Sequence, residues 1–339
     1  MLYWPILFEA KNILMIGRVS MYSGFDIGGT KCAVCIGREK ENGVDILNKR
    51  VIPTDLTVSP YEMIDKMYSL AMSMTDKIDI VGISCGGPLD SKNGIILSPP
   101  NLRGWDKVEI VKYLKEKYGI TAYLENDANA CAVAEWKYGA GRGCKNMVFM
   151  TFGTGLGAGM ILNGQLYRGA SDMAGEAGHI RLSQFGPVGY GKAGSFEGFC
   201  SGNGIAQLGV SYATEKLQMG KTVSYCKNFS ELGDITAKKI AEYANLGKED
   251  AIGIYKTCGE MLGKGLSVLI DILNPERIVL GSVFQRSEHL LREYMQKVLE
   301  RECLTYSLNV CKVVPAELKE NIGDYAAIAV AAMGRKENA

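Results

Sequence analysis

The spacing of apolar residues switches several times between a period of two and a period near 3.6, and each switch marks an element. Residues 22–36, YSGFDIGGTKCAVCI, predict two strands joined by a turn at Gly28-Gly29-Thr30. Residues 60–75 carry Met, Ile and Leu at helical spacing, and 79–84, DIVGIS, form a short apolar run ending in Gly86-Gly87-Pro88. That run predicts a buried strand, and Asn93-Gly94 a second turn. Over 105–118, Val108, Ile110, Val111, Leu114 and Tyr118 share one helical stripe. A strand at 121–124 and an Ala-rich helix at 128–138 follow, with Gly139 as a stop. A second set opens at residue 146 with the strand NMVFMTF, the loop GTGLGAG and the strand MILNG, and Asn163-Gly164 then signals a hairpin. Helices are predicted at 236–246 and about 250–272, the second stopping at Asn274-Pro275; RIVLG at 277–281 is a strand and 323–333 a small-residue helix.

The order strand–turn–strand, then helix and strand in alternation, occurs twice. This predicts an α/β chain with a loose internal duplication, and 339 residues suit two domains. The expected division is an extension over 1–20, a small lobe over 21–130 joined by a C-terminal helix at about 318–335, and a large lobe over 131–317. Residues 1–20 are broken by Glu9, Lys11 and Arg18, so they do not read as a membrane span or a secretory signal. With 38 basic and 37 acidic residues, no nucleic-acid or membrane partner is expected. Ten scattered cysteines in a chain of this length predict reduced thiols and a cytoplasmic protein. Cys32 and Cys35 have CxxC spacing but fall on opposite faces of a strand, which favours a structural role over a redox one.

Four segments carry candidate chemistry. In Asp26-Ile27-Gly28-Gly29-Thr30-Lys31, glycine backbone N–H groups can hold phosphate oxygens and Asp26 can hold a hydrated Mg2+; a tight hairpin is the plain alternative. The loop Gly153-Thr154-Gly155-Leu156-Gly157-Ala158-Gly159 also suits a polyphosphate, or is simply a glycine-rich hairpin. It opens no helix, which disfavours a dinucleotide fold. In Glu125-Asn126-Asp127-Ala128-Asn129-Ala130, a carboxylate stands between a strand and a helix, where Asn126 or Asp127 is equally a helix N-cap. Ala174-Gly175-Glu176-Ala177-Gly178-His179 places an acid and an imidazole in a glycine-rich loop, as a polar ligand site or a satisfied histidine.

Taken in order, these segments resemble the ROK family of sugar kinases and sugar-responsive repressors, from about residue 23 to the C-terminus. The resemblance implies a two-lobed actin-like ATPase (ribonuclease H-like) fold with a duplicated βββαβα core. It implies ATP-dependent phosphorylation of a hexose or N-acetylhexosamine, glucokinase-like, with Mg2+ and Asp127 as base. It places Asp26, Gly28, Gly29, Thr30 and Lys31 at a first phosphate loop, with Asp26 near the metal through water, and Gly153, Thr154, Gly155 and Gly157 at a second. Gly281 falls by the nucleotide; Gly87, Asn101, Asn126, Asp127, Glu176, His179 and Glu197 fall by the sugar. Ser282 and Val283 stand where further glycines are usual. Zinc-containing members carry CxCGxxGCxE after the histidine; here Val188, Tyr190 and Ser195 replace the cysteines, so no structural zinc is expected and packing of Tyr190 and Phe196 is expected to order the loop. A homodimer is implied. The alternative is a sugar-sensing or weakly catalytic member that does not bind DNA, because Asp26 lies too near the N-terminus for a preceding helix-turn-helix. Glucose, N-acetylglucosamine, N-acetylmannosamine, fructose and allose stay open as acceptors.

Overall fold

The computed structural model describes residues 20–40 and 43–337; the expected extension, apart from Ser20, lies outside the described residues. β1 (Met21–Ile27), β2 (Lys31–Lys40) and β3 (Gly43–Pro53) form an antiparallel meander. β4 (Ile80–Cys85) and β7 (Thr121–Asn126) then join beside β1 in parallel, giving the order β3-β2-β1-β4-β7. The parallel strands are covered on both faces, which is why β4 reads as a continuous apolar run. Two helices cross over between them. α1 (Pro60–Met72) starts at a Ser59/Glu62 capping box with Pro60 at its first position, and buries Met63, Ile64, Met67 and Ala71. α2 (Ile110–Tyr118) begins five residues later than its stripe suggested. Lys107 has φ +53° and Val108 pairs across to Ile96 in the short hairpin of β5 (Leu89–Asp90) and β6 (Ile95–Ile96). The apolar residues before 110 are therefore buried, but from extended backbone.

The second half repeats this plan. β8 (Met147–Met150), β9 (Ala158–Leu162) and β10 (Gln165–Tyr167) are antiparallel, and β13 (Arg277–Leu280) and β14 (Lys312–Pro315) extend the sheet in parallel, in the order β10-β9-β8-β13-β14. Asn163 (φ +53°) and Gly164 (φ +76°) make the left-handed turn that joins β9 to β10. Between the two parts of this sheet run a small hairpin of β11 (Val188–Gly189) and β12 (Lys192–Ala193), then α4 (Phe196–Phe199), α5 (Gly202–Gln218), α6 (Ala237–Asn245) and α7 (Glu249–Leu273). α7 ends on Asn274 in the left-handed region, and α8 (Val283–Glu302) packs along it before α9 (Thr305–Val310). No helix of the described residues is long and apolar enough to cross a membrane.

The two halves exchange their last helices. α3 (Asp127–Tyr138) follows the first sheet but packs on β8 and β9 of the second. α10 (Ile322–Glu337) follows the second sheet but packs on β1 and β4 of the first. Small residues permit both contacts: a β-carbon on Gly159 would lie 2.6 Å from that of Ala132 in α3, and one on Gly82 would overlap the Ala327 carbonyl oxygen in α10. α3 and α10 then meet each other through Ala130, Ala134, Ala326 and Ala329 in one buried cluster. Cys32 and Cys35 fall into separate clusters on the two faces of β2.

Candidate active site

The exchange sets the start of α3, which follows β7, against the glycine loop after β8: a β-carbon on Gly157 would lie 3.4 Å from that of Ala128. Asp26 stands one residue before the end of β1, paired with Ser84, and Gly28 N–H donates to the Lys31 carbonyl at 3.1 Å to close the first turn. A β-carbon on Gly29 would strike Asn101, so this loop is seated on the 99–102 turn. Beyond β4, a β-carbon on Gly86 would stand 3.8 Å from Asn101 Oδ1 and 4.0 Å from Asp127 Oδ2, and one on Gly87 would lie 3.3 Å from Asn126 Nδ2. Gly86, Gly87, Asn101, Asn126 and Asp127 thus face one small volume. Thr30 and Lys31 stand exposed at its rim.

The turn into α3 divides its labour. Asn126 is the N-cap, its Oδ1 accepting from Ala128 N at 3.0 Å and Asn129 N at 3.3 Å. Asp127 spends one oxygen, Oδ1, on Ala128 N at 2.8 Å and leaves Oδ2 towards Gly86. Asp127 keeps a path to solvent while protein encloses its other sides, and that enclosure holds its carboxyl above the ordinary range against the pull of the Ala128 N–H. Asp26 is pushed up to about 6, first by burial and then by the charges of Asp127 and Asp324; the Ser84 hydrogen bond and Lys49 oppose the shift. Lys49 Nζ lies 2.7 Å from Asp324 Oδ2 at the start of α10. Three carboxylates therefore converge where the first glycine loop meets α10. Asp324 was not singled out from the sequence; an acid in the first turn of a helix reads locally as dipole compensation.

The second glycine loop is closed by its own backbone: Thr151 N–H donates to Gly157 O at 2.9 Å, and Gly153 N–H to Gly155 O at 2.9 Å. Leu156 N–H donates to Glu197 Oε2 at 2.9 Å, so Glu197 is tied to this loop. Gly153 faces Ser282, whose Oγ would lie 3.7 Å from a β-carbon there, so Gly281-Ser282 and the loop flank one space. Ser282 holds φ +46° and ψ −102°, a glycine-like conformation kept without the glycine.

The Glu176–His179 turn packs under the same loop, a β-carbon on Gly178 lying 3.3 Å from that of Glu197. Partial burial, then the charges of Glu197 and Asp127, raise the Glu176 carboxyl, and His179 opposes them. That mutual influence places Glu176, His179, Glu197 and Asp127 in one electrostatic neighbourhood. Phe196 is fully buried against Gly265 of α7, but Tyr190 is 76% exposed and stands edge-on to the His179 ring at 6.5 Å. Tyr190 therefore does not order the 186–197 loop by packing, as the sequence suggested; at φ +43° on a tight hairpin its side chain points outward. Polar contacts hold the loop instead. Gln207 Oε1 accepts from Val188 N and its Nε2 donates to Val188 O, both at 2.9 Å. Ser195 Oγ accepts from Gly198 N at 3.0 Å, and Lys192 Nζ donates to His179 O at 2.7 Å. Cys200 points away, its Sγ 3.5 Å from Cys258 O in α7.

Comparison with known proteins fits this geometry. A model of the ROK family matches residues 22–333. A glucokinase of Halalkalibacterium halodurans is 32% identical over 287 residues, covering 81% of this chain and 84% of that protein. The ROK family glucokinase of Streptomyces griseus, solved with glucose and AMPPNP, superposes with TM-score 0.71 at 26% identity, over 93% of this chain and 100% of that one. A ROK family transcriptional regulator, a homologue of the E. coli MLC protein, shares the fold with TM-score 0.79 at 20% identity, over 93% of this chain and 78% of that one. The chain belongs to the ROK family, with the actin-like ATPase fold, and groups with its sugar kinases.

Proposed function

We propose that this protein transfers the γ-phosphoryl group of ATP to a hydroxyl of a hexose or N-acetylhexosamine, with Asp127 as the base. The observation that carries the reading is the split use of the Asp127 carboxylate: one oxygen is committed to Ala128 N and the other faces the cleft. Oδ2 takes the proton of the sugar hydroxyl as its oxygen attacks the γ-phosphorus and the bond to the β-phosphate oxygen breaks, releasing ADP. Enclosure raises the proton affinity of this carboxylate, which favours that step. Asn101, Gly87, Asn126, Glu176, His179 and Glu197 hold the sugar, each hydroxyl gaining a partner. Gly28, Gly29, Thr30, Lys31, Gly153, Thr154, Gly155, Gly157 and Gly281 surround the phosphates.

Asp26 suits a magnesium ion held through water. It is an oxygen donor in a field of two further carboxylates that a divalent cation would relieve. Mg2+ bound with the nucleotide supplies neutralisation of phosphate charge. Closure of a lobe comprising 21–130 and 318–335 on one comprising 131–317 would exclude water from transfer. The reading includes a cytoplasmic homodimer, as in the resemblance.

The test is sugar-dependent ADP release across a panel of hexoses and N-acetylhexosamines, with Asp127→Ala alongside. A turnover loss of about 10²–10⁴-fold with sugar affinity retained is expected. Near-normal turnover in the variant removes Asp127 from its role. Sugar binding without ADP release by the wild type points to another phosphoryl donor, then to a sensor.

A further inference from the structure

Residues 168–172 leave β10 at the edge of the second sheet and run directly into the Glu176–His179 turn. This short segment reaches the first half through two side chains, the first of which also lies 3.8 Å from Glu337 Oε2 of α10. Arg168 Nε donates to Glu125 Oε2 at 2.7 Å. Glu125 is fully buried at the end of β7, and its other oxygen accepts from Asn126 N at 2.9 Å and Asn129 Nδ2 at 3.0 Å. A buried carboxylate needs such a partner, and this one sits two residues from Asp127. Burial pushes the Glu125 carboxyl up, and the Arg168 charge is the leading influence pulling it back. Four residues further on, Asp172 accepts from Ser91 N at 2.8 Å through Oδ2 and from Ser91 Oγ at 2.9 Å through Oδ1. Ser91 follows β5, just beyond the Gly86-Gly87 turn that faces Asn101 and Asp127. Asp172 does this from φ +56°, where glycine would be unstrained but would offer no carboxylate.

We propose that Arg168 and Asp172 form a two-point bracket between the halves, setting the distance from Asp127 to Glu176 and His179. Neither side chain needs to touch sugar or nucleotide; both are positioning residues. Arg168 fixes the turn that carries the base, Asp172 fixes the hairpin behind the Gly86-Gly87 turn, and the backbone between them leads to the acid and imidazole. Misplacement of a reacting pair by about 1 Å costs on the order of 10²-fold in rate while each partner still binds its own ligand. The bracket therefore acts on turnover more than on affinity. The inference rests on the kinase reading for its catalytic consequence, but not for its structural one.

The test compares wild type, Asp172→Ala, Arg168→Lys and the double variant by turnover, calorimetric sugar affinity, thermal midpoint and amide hydrogen exchange over 173–179. Asp172→Ala removes a half-buried side chain and leaves the Arg168–Glu125 pair in place, so it keeps the test open if the Arg168 variant folds poorly. Expected for Asp172→Ala are faster exchange over 173–179, turnover down about 10-fold or more, and sugar affinity within about threefold. Since both contacts hold one segment, the double variant should lose little more than the worse single one. Unchanged exchange, unchanged turnover despite faster exchange, or a turnover loss matched by lost affinity would each overturn the bracket. If the wild type releases no ADP with any sugar, the kinase reading fails on its own, and the exchange data still decide whether the bracket holds the loop.

Discussion

The convergence of Asp26, Asp127 and Asp324 makes a prediction whose sign is unusual for an aspartate. Folding raises the Asp26 carboxyl from 3.8 to about 6, so the folded state binds its proton more tightly than the unfolded chain. The resulting stability is present below pH 4 and is lost as pH rises through about 6. At about 1.4 kcal/mol per pH unit, a gap of roughly two units bounds the loss at about 3 kcal/mol, and partial solvation reduces it to about 2. Asp26→Asn keeps the shape and can still bond Ser84, but carries no charge. In metal-free, nucleotide-free protein at pH 8 the variant should be more stable than wild type by about 2 kcal/mol, and the advantage should shrink towards zero at pH 4. Urea unfolding at a series of pH values in chelator measures both. Millimolar Mg2+ with nucleotide should then stabilise the wild type and not the variant, because the cation relieves the repulsion that the substitution has removed. A variant less stable at pH 8, or a difference that ignores pH, would refute the reasoning.

Two further predictions concern close packing and strain. Gly82→Ala would drive a methyl group into the Ala327 carbonyl oxygen and Ala331 N, so α10 must shift; a loss of about 3 kcal/mol is expected in urea unfolding, and a loss below about 0.5 would show that the helix yields freely. Ser282→Gly removes a side chain from φ +46° and should stabilise the protein by about 1 kcal/mol without raising the KM for ATP; destabilisation would mean that the serine is not strained there.

Local chemistry made much of this molecule legible before its structure. The β1–β2 turn, the Asn163-Gly164 hairpin and the stop at Asn274 depend on residues within a few positions, and each fell where the sequence placed it. Tertiary demands hid the rest. α5 was not predicted because glycines dilute its helical signal; Gly209 is needed where a β-carbon would overlap Ile240. α8 is largely polar and irregular at Ser287, so its period is weak. Val108 carries a helical stripe but lies in an extended bridge. In the candidate site, the glycine loops and the Asn126-Asp127 turn fall where the sequence put them; the cap role belongs to Asn126, which leaves Asp127 Oδ2 uncommitted. Arg168, Asp172, Asp324 and Gln207 had no local signature, because their partners lie 43, 81, 275 and 19 residues away.

The exchanged helices bear on how the chain comes to be folded at all. The face of β1 and β4 that receives Ala327 is formed from the first quarter of the sequence, yet its cover is α10, the final 16 residues described. During synthesis that face stays bare while some 240 residues are added, and α3, already made, waits for β8 and β9. Each half can bury one face of its sheet with its own segment, but the face that receives an exchanged helix stays uncovered until the other half is made. The contacts of α10 with β1 and β4 close a long loop, so the sheet face it covers is expected to be buried last and to be the part of the nascent chain most exposed to aggregation.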